Sequence, residues 1–488
     1  MGKYLFFDID GTLLSDVTHT VPQSAIEAII MDEFLRDIHT LLFKEWILIQ
    51  SIEGCDIKEE SKKVILTTPY CHAEVVFNDH NLIELSVTNL VTDRIDFYLH
   101  FQMHTMSHAI SLYEEMIQCV KQLINEPPVR VLLTCTSGLT TGMFAAQLNE
   151  ATMLLSKNYE FDAIAYHELY DIAKNYDVIL VAPQVSSKKA KLETCFKKKI
   201  VLTIPSTIFA KYDAGALLEF LDEHLSSRRH PTTARLPVIS RPVPHQTKIL
   251  TIATVRTSHR TRMIYRVFDP NNKTLLDNEV VKFDFQVNDL FDILDTVLLF
   301  HPDIPIIGIS LPGIIHDGYM DFRDQRINVL GPLNKRYPNK RFYLFNDVNA
   351  LVSGYYISQN KYQTISFLYQ PSMGSPCGIG SVFKGQLIEG AHKIAGEARY
   401  LPFNKEQFQK TPEEQLKFLA YQAAAVISIY DPEILIVSCK YTNKHELKEL
   451  LKKYFPEEYL PDIHFIEHFK EYGLLGALIL SIQEENKG

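Results

Sequence analysis

Strand-like and helix-like segments alternate along residues 129–225, and this alternation constrains the fold more than any other feature of the sequence. The strand VRVLLT precedes the helical stretch GMFAAQLNEATMLLS, and the apolar runs FDAIAYHEL, YDVILVAPQ and KKIVLTIPS follow with helical segments between them. Alternating strands and helices form parallel sheets that are covered by helices on both faces. The segment therefore predicts a doubly wound parallel sheet of about 100 residues.

The rest of the chain is interpreted as further domains around this segment, giving a multidomain α/β protein. The 488 residues are enough for about three domains of roughly 150 residues each. Residues 31–126 predict a small α+β domain, in which a helix is followed by an antiparallel meander. Residues 226–246, rich in Pro, Arg, Ser and Thr, are typical of a semi-extended linker between the domain at 127–225 and the final region. Residues 247–488 alternate strands and helices again and are long enough for two lobes, whereas residues 1–30 form a separate short fragment.

Charge and cysteine usage exclude several classes of function. The formal net charge of -10 leaves no basic footprint for nucleic acid. The seven cysteines are scattered and form no CxxC pair, so neither a disulfide framework nor a cysteine zinc site is predicted. No apolar run approaches the roughly 18 residues of a membrane span, and no signal peptide is evident. We therefore expect a cytoplasmic protein without a membrane span; a homo-oligomeric state stays open.

Cys135 is the first candidate for catalysis. In VLLTCTSGLTTGM it follows a strand, and a Ser/Thr/Gly-rich loop and a helix N-terminus come next. Backbone N–H groups and the helix dipole at such a position favour an anion. The same field lowers the pKa of a thiol and makes it nucleophilic. A phosphocysteine chemistry is thus predicted, with a buried structural cysteine as the alternative.

The segment around Cys135 resembles the enzyme IIB component of the bacterial phosphotransferase system, lactose/cellobiose type. The resemblance covers roughly residues 129–225 and is based on CTSGLTTGM, DVILVAPQV and IPSTIFAKYDAG. It implies that Cys135 accepts phosphate from a histidine of a IIA partner, and that sugar phosphorylation would need a separate membrane IIC component. Pro183 and Gln184 would flank a phosphate-binding loop. The loop itself would comprise Thr136, Ser137, Gly138, Leu139, Thr140, Thr141 and Gly142.

The C-terminal region resembles the ROK family of sugar kinases and sugar-responsive repressors, which have a two-lobed, actin-like fold. The matching stretches are IIGISLPGIIHDGYM, LFNDVNALVSGYY, CGIGSVFKGQLIEGAHKIAGEARYL and IYDPEILIV. The resemblance implies that Asp347 is the catalytic base, that Asn346 and Glu397 bind sugar, and that Gly378 and Gly380 remain from a phosphate cradle.

The first phosphate cradle of that family has no counterpart here. No Asp, Glu or Gly occurs from 245 to 265, where the family has an Asp and paired glycines. We therefore expect a degenerate, sugar-binding ROK-type domain with weak ATP binding. As an alternative, Arg256, Arg260 and Arg262 would supply a different phosphate site, because arginine binds phosphate through bidentate contacts.

The N-terminal fragment contains two aspartates on a predicted strand end, Asp8 and Asp10 in FFDIDGTLL. Side chains two residues apart on a strand point the same way, so the two carboxylates would suit Mg²⁺. The fragment resembles the start of Cof-type haloacid dehalogenase (HAD) phosphatases over about 30 residues, which implies a metal site at these two positions. The later motifs of that family are missing, so a non-catalytic remnant is the preferred interpretation.

The preferred function is a phosphotransferase-system protein that couples a phosphocysteine domain to a sugar-binding domain for sugar phosphorylation or sensing. The alternatives are an active ROK-type ATP-dependent sugar kinase and a HAD-type phosphatase; a DNA-binding repressor is disfavoured by the acidic charge. No cofactor beyond Mg²⁺ is suggested. The spacing of His100, His104 and His108 would suit a metal only on a helix, and the surrounding FYLHFQM predicts a strand.

Overall fold

The computed structural model describes residues 23–487 except 91–92, 126–127, 156, 197–198, 228–238, 242, 257–259, 324, 373–374, 403–410, 440–441 and 467–468. The described chain forms two compact units. One comprises residues 35–97 and 103–232, and the other contains residues 98–102 and 233–488 together with the chain up to Phe34. None of the helices in the described part is long and apolar enough to cross a membrane.

The N-terminal described element is a single long helix, α1 (Gln23–Leu48). The sequence suggested two helices that meet at residues 30 and 31, so the predicted domain boundary lies inside this helix. Neither Gly nor Pro interrupts the stretch, and the helix can therefore continue without a break. Its C-terminal half packs through Phe43 and Trp46 against Tyr113, with ring centroids 6.2 and 5.4 Å from that tyrosine.

The predicted meander forms a run of neighbouring strands. Each pair from the first to the fourth strand is antiparallel, and the fifth strand lies beside the fourth. Buried apolar residues alternate with partly exposed ones along the fourth strand, as expected for a sheet with one face in the core. The elements are β1 (Asp56–Glu60), β2 (Lys63–Thr67), β3 (Cys71–Phe77), β4 (Leu82–Asn89), β5 (Arg94–Gln102) and the following helix α2 (Met106–Ile124).

The histidine triplet forms no common helical face. His100 lies in β5, where its Nε2 atom is 2.7 Å from the hydroxyl oxygen of Tyr265. His108 lies in α2, and His104 precedes that helix. Within the described ranges, no group of three or more His, Cys, Asp or Glu side chains is arranged to hold a metal ion.

The alternating segment folds as predicted into a parallel sheet with helices. Its strand order is β7-β6-β8-β9, and all three pairings are parallel. Every residue of β8 is buried, because both faces of the sheet are covered. The elements are β6 (Val129–Cys135), α3 (Leu139–Leu154), β7 (Tyr159–Ala165), α4 (Leu169–Ile172), β8 (Val178–Val181), α5 (Lys189–Cys195), β9 (Ile200–Thr203), α6 (Ser206–Lys211) and α7 (Ala214–Ser227).

The first C-terminal lobe has a mixed sheet. Its strands follow the order β12-β11-β10-β13-β17, with two antiparallel pairings on one side of β10 and two parallel pairings on the other. The elements are β10 (Ile249–Arg256), β11 (Thr261–Phe268), β12 (Thr274–Lys282), α8 (Asn288–Phe300), β13 (Ile306–Leu311), β14 (Ile314–His316), β15 (Tyr319–Phe322), β16 (Gln325–Asn328), α9 (Leu330–Arg336), β17 (Arg341–Asn346) and α10 (Asp347–Ile357).

The second lobe repeats the same arrangement. Its order is β20-β19-β18-β21-β22, again with two antiparallel and two parallel pairings around the first strand of the lobe. The predicted two-lobed, actin-like architecture is confirmed by this repeat. The elements are β18 (Ile365–Tyr369), β19 (Gly378–Phe383), β20 (Gln386–Leu387), α11 (Pro412–Tyr430), β21 (Ile434–Ser438), α12 (Lys444–Leu451), β22 (Asp462–Phe465) and α13 (Lys470–Glu485).

Helices α10 and α13 are packed backbone against backbone. A Cβ atom at Gly354 would overlap the carbonyl oxygen of Tyr472, and one at Gly476 would overlap the carbonyl oxygen of Ala350. Only glycine allows two helices to approach this closely. The contact fixes α10, whose first residue is Asp347, against the last helix of the chain.

We expect Gly476→Ala to destabilise the protein by about 2 kcal/mol, because the added methyl group must push the two helices apart. The matched control is Gly215→Ala in α7, whose new Cβ would meet only the Asp213 carboxylate at 3.7 Å. Urea unfolding followed by circular dichroism measures both changes. If Gly476→Ala unfolds at the same urea concentration as Gly215→Ala, the proposed close packing is wrong.

Candidate functional site

Cys135 is the last residue of β6, a central strand of the parallel sheet. Strands β7 and β8 lie on opposite sides of β6, so the connection that follows β6 runs to β7 on one side, whereas the connection that follows β8 runs to β9 on the other. Ligands in doubly wound folds bind at the carboxyl ends of the strands, where the strand order reverses. The fold therefore places the thiol at the position where this architecture offers a crevice.

The turn after Cys135 depends on Gly138. This residue has φ 80° and is the N-cap of α3. A Cβ atom there would lie 3.0 Å from the backbone nitrogen of Ala165, at the end of the neighbouring strand β7. Glycine satisfies both requirements, since it adopts positive φ without strain and has no side chain to clash. The backbone N–H of Gly138 consequently donates a hydrogen bond to the Cys135 sulfur at 3.1 Å.

Two hydroxyl groups on the first turn of α3 also face the sulfur. Thr140 Oγ1 lies 3.4 Å and Thr141 Oγ1 lies 3.3 Å from Cys135 Sγ. Burial by itself raises the pKa of the Cys135 thiol. Hydrogen bonds from Thr140, Thr141 and the backbone of Ser137 outweigh burial and lower that pKa from 9.0 to about 7. A large fraction of the thiol is then ionised at neutral pH, as a nucleophile requires.

The predicted loop residues surround this sulfur in different ways. Thr136, Ser137, Leu139, Thr140 and Gly142 are exposed, whereas Thr141 is buried. Apart from its chain neighbours and the backbone of its own helix, none of the described residues has a heavy atom within 4 Å of the position that a Cβ at Gly142 would occupy. Cys135 itself is buried, with 3% of its surface exposed, and the phosphate-binding role of the loop residues stays a prediction.

The residues predicted to flank the loop follow the adjacent strand. Ala182, at the end of β8, donates its N–H to the carbonyl oxygen of Thr134 at 2.9 Å. Pro183 and the exposed Gln184 come immediately afterwards and begin a short 3₁₀ helix. This pairing brings them to the same sheet edge as Cys135.

The second candidate site lies at the N-terminus of α10. Asn346 is the N-cap, and its side-chain oxygen accepts hydrogen bonds from the backbone N–H groups of Val348 and Asn349, both at 3.0 Å. Its side-chain nitrogen donates to the carbonyl oxygen of Gly313 at 2.8 Å. These bonds satisfy the helix end and fix the orientation of the adjacent Asp347. The side-chain amide of Asn346 is used in these bonds. Its sugar-binding role stays a prediction.

The pKa values of Asp347 and Glu397 are both raised in the structure. Burial raises the pKa of the Asp347 carboxyl group most, the negative charge of Glu397 raises it further, and the resulting pKa is about 7. Burial likewise raises the pKa of Glu397, against the effect of the neighbouring Arg399. A carboxyl group with a pKa near neutrality can accept a proton from a hydroxyl group and release it again, as a general base must.

The two glycines predicted for a phosphate cradle lie against α10. A Cβ at Gly378 would be 2.6 Å from a methyl carbon of Val348, and one at Gly380 would be 2.6 Å from the Val348 carbonyl oxygen. Gly378 also forms an isolated bridge with Glu397. The structure thus brings Gly378, Glu397 and the start of α10 together, and close packing alone accounts for both glycines. Phosphate binding by these glycines stays a prediction.

The three arginines of the alternative phosphate site do not act as one cluster. Arg262 forms an ion pair with Glu279 at 2.7 Å, and the Arg260 guanidinium lies 3.9 Å from the ring centroid of Phe283. Arg256 instead lies 5.3 Å from the ring centroid of Phe322 and within electrostatic range of Asp347.

Sequence reasoning missed Arg323, which belongs to the turn after β15 and also lies against the Phe322 ring, at 5.2 Å. The stretch IIGISLPGIIHDGYM included the start of this hairpin in a resemblance but gave no reason to pair the arginine after the hairpin strand with Arg256. Asp8 and Asp10, the predicted Mg²⁺ ligands, lie outside the described residues.

A family model matches the segment around Cys135. Residues 130–220 match the family model of the PTS system, Lactose/Cellobiose specific IIB subunit. A solved lactose-specific IIB component domain of the phosphoenolpyruvate:carbohydrate phosphotransferase system from Streptococcus pneumoniae is 25% identical. That comparison covers 20% of this chain and 97% of the other, with a TM-score of 0.19. No curated protein matches the sequence.

Two further solved structures are similar to about half of the chain. The Lmo2764 protein from Listeria monocytogenes is 17% identical, covering 49% of this chain and 99% of its own, with a TM-score of 0.40. A ROK family protein from Streptococcus pneumoniae, in complex with sucrose, is 15% identical, covering 49% and 100%, with a TM-score of 0.37. The chain thus combines a segment that matches the lactose/cellobiose IIB family with a similarity to ROK-family proteins over about half its length.

Proposed function

We propose that the segment around Cys135 is a phosphocysteine carrier of the phosphotransferase system, and that the C-terminal lobes bind a sugar. The observation that supports the carrier role most directly is the set of three donors facing one sulfur: the N–H of Gly138 and the hydroxyl groups of Thr140 and Thr141. A structural cysteine needs no such set, since a buried thiol is satisfied by apolar packing.

The proposed reaction is an in-line transfer from a phosphohistidine of a IIA partner. The Cys135 thiolate attacks the phosphorus atom, a sulfur–phosphorus bond forms, and the nitrogen–phosphorus bond of the donor breaks. The electron pair of that bond returns to the histidine nitrogen, which takes up a proton from solvent. Phosphoryl transfer depends mainly on positioning and charge stabilisation.

The start of α3 supplies this stabilisation. Before transfer, the donors on the loop and on Thr140 stabilise the negative sulfur. After transfer, the sulfur is neutral and the phosphoryl oxygens bear the charge, so the same donors can turn to those oxygens. The helix N-terminus favours the anion in both states. A separate membrane IIC protein would use the phosphate for sugar phosphorylation; without one, the phosphorylation state would serve sensing.

The C-terminal lobes would bind the sugar beside Asn346, Asp347 and Glu397. A buried aspartate at the start of α10 and a partly buried glutamate near it suit the recognition of hydroxyl groups, because each carboxylate oxygen accepts hydrogen bonds. A carrier and a sugar-binding region on one chain would allow the sugar and the phosphorylation state to be sensed together.

An ATP-dependent sugar kinase is the second candidate, and one observation favours it: the pKa of Asp347 is about 7, which suits a general base.

For a kinase we expect phosphate transfer from ATP to a hexose to increase as the pH rises through about 7, since Asp347 must be ionised. Asp347→Asn should lower the rate about a hundredfold or more. Asp317→Asn, on an exposed turn, is the control. The absence of any transfer by the wild-type protein across a panel of hexoses would exclude this function.

Transfer of phosphate to Cys135 tests the carrier role. The full chain is incubated with labelled phosphoenolpyruvate, the general carrier proteins of the system and a panel of IIA proteins. We expect an acid-stable, iodine-labile label that Cys135→Ser abolishes. Cys195→Ser, which removes an exposed cysteine, should retain the label. Equal labelling of the Cys135→Ser protein, or no label with any IIA protein, would contradict the proposal.

The ionisation of the thiol is tested separately. Alkylation of Cys135 by iodoacetamide should rise with pH to half its maximum near pH 7, where the thiolate is half populated. Thr140→Val removes one hydrogen bond to the thiolate and should raise the midpoint by about one pH unit. Thr194→Val, whose hydroxyl group donates only to the carbonyl oxygen of Ala190, should leave it unchanged. The midpoints are read by mass spectrometry of the Cys135 peptide; identical values for both variants would show that Thr140 does not stabilise the thiolate.

A further inference from the structure

Two arginines lie against one aromatic ring in the first C-terminal lobe. The guanidinium carbon of Arg256 is 5.3 Å from the ring centroid of Phe322, and that of Arg323 is 5.2 Å from the same centroid. Arg256 is the last residue of β10, and Arg323 follows β15 with a left-handed φ of 50°. Two separate parts of the chain therefore deliver positive charge to one place.

These two charges are not fully compensated. Arg323 forms an ion pair with Asp284. Among the residues that the structure describes, no carboxylate lies within ion-pair distance of the half-buried Arg256 guanidinium. Burial lowers the pKa of Arg256, and the like charge of Arg323 lowers it further. A second anion close to both groups would relieve this repulsion.

The carboxylates nearby compensate the charge of Arg256 only in part: Asp284 and Asp347 both raise its pKa, but burial and Arg323 lower that pKa by more. Asp284 is already paired with Arg323. Asp347 is within electrostatic range of Arg256 but beyond ion-pair distance, and its burial and the charge of Glu397 favour its neutral form. The open position therefore suits a ligand group that bears its own negative charge.

Phosphate fits this position better than a neutral sugar hydroxyl group. Guanidinium groups bind phosphate oxygens through paired, charge-assisted hydrogen bonds, and two arginines can share one phosphate dianion. A neutral sugar would leave the repulsion between Arg256 and Arg323 in place.

The phosphate is better assigned to a sugar than to a nucleotide. Residues 245–265 contain no glycine, although close approach of the backbone to nucleotide phosphates is usually made possible by glycines. Asp347, in contrast, lies near Arg256, because each of the two groups affects the pKa of the other. A ligand with hydroxyl groups at one end and phosphate at the other would provide hydrogen-bond donors to Asp347 and a negative charge to Arg256.

We propose that Arg256 and Arg323 bind the phosphate group of a phosphorylated sugar whose hydroxyl groups face Asp347 and Glu397. This inference rests on the proposed sugar-binding function of the C-terminal lobes and specifies its ligand class. It replaces the earlier grouping of Arg256 with Arg260 and Arg262, since those two arginines have other partners.

Equilibrium dialysis of the full chain with radiolabelled inorganic phosphate tests the two arginines. Arg256→Gln should weaken the arginine-dependent binding about tenfold, as expected for the loss of a charged hydrogen bond, and Arg323→Gln should also weaken it. Arg256→Lys should recover part of the affinity. Arg262→Gln, which removes only the ion pair with Glu279, is the control and should bind as the wild type does. Wild-type affinity in Arg256→Gln, or no binding to the wild-type protein, would overturn the proposal.

Competition against the bound phosphate identifies the source of the phosphate group. A member of a panel of hexose and N-acetylhexosamine 6-phosphates should displace it more strongly than inorganic phosphate does, whereas the unphosphorylated sugars should not. Stronger displacement by ATP than by every sugar phosphate, or no displacement by any of them, would overturn the assignment.

Labelling of Cys135 on the same Arg256→Gln sample separates this inference from the carrier function. The variant should accept label at Cys135 as the wild type does, which shows that the unit containing Cys135 is folded. If the wild type accepts no label but its phosphate binding still depends on Arg256, the carrier function fails and the inference stands. If labelling is normal but the Arg256→Gln and control proteins bind phosphate equally, the inference fails alone.

Discussion

The close contact between α10 and α13 determines much of the C-terminal region. Gly354 and Gly476 remove the side chains that would separate the two helices, so backbone lies against backbone. The same last helix contacts the first sheet, where Gly308 of β13 leaves room for Ser481. Because α10 is held in this way, the position of its first turn is set by packing far from any ligand. The backbone of Asp347 at that turn is thereby held in place, and its carboxylate accepts a hydrogen bond from the N–H of Val348 at 2.9 Å.

Both candidate sites use the same local arrangement. In each, a strand ends, the chain turns, and a helix begins with its N-terminus at the functional side chain: Cys135 before α3, and Asp347 at the start of α10. The helix N-terminus offers a positive potential to both. The pKa values of the two groups shift in opposite directions because the surroundings of the two groups differ. The sulfur receives three hydrogen bonds, which lower the pKa of the thiol, whereas burial raises the pKa of the carboxyl group.

Local patterns predicted the individual parts of this protein well. The alternation along 129–225 predicted a doubly wound sheet, and it forms, because apolar strands buried on both faces have few other ways to be covered. Cys135 and its loop were predictable since all the donors to the sulfur lie within six residues of it. The predicted boundary between two helices at residues 30 and 31 is not observed. A change in composition suggested that boundary, yet no helix-breaking residue occurs there and α1 is continuous.

The sequence alone determined which residues could do chemistry: a thiol beside hydroxyl groups and glycine, and acids at a helix start. These features are local, and their geometry follows from the strand, the turn and the helix that contain them. Only the tertiary structure decided how distant residues combine. Arg256 is 67 residues before Arg323, and nothing in either stretch indicates that both lie against Phe322. It also decided that Arg262 is neutralised by Glu279, because that pairing depends on the register of β11 against β12. Charge compensation depends on which groups meet in space, and the order of the chain does not contain that information.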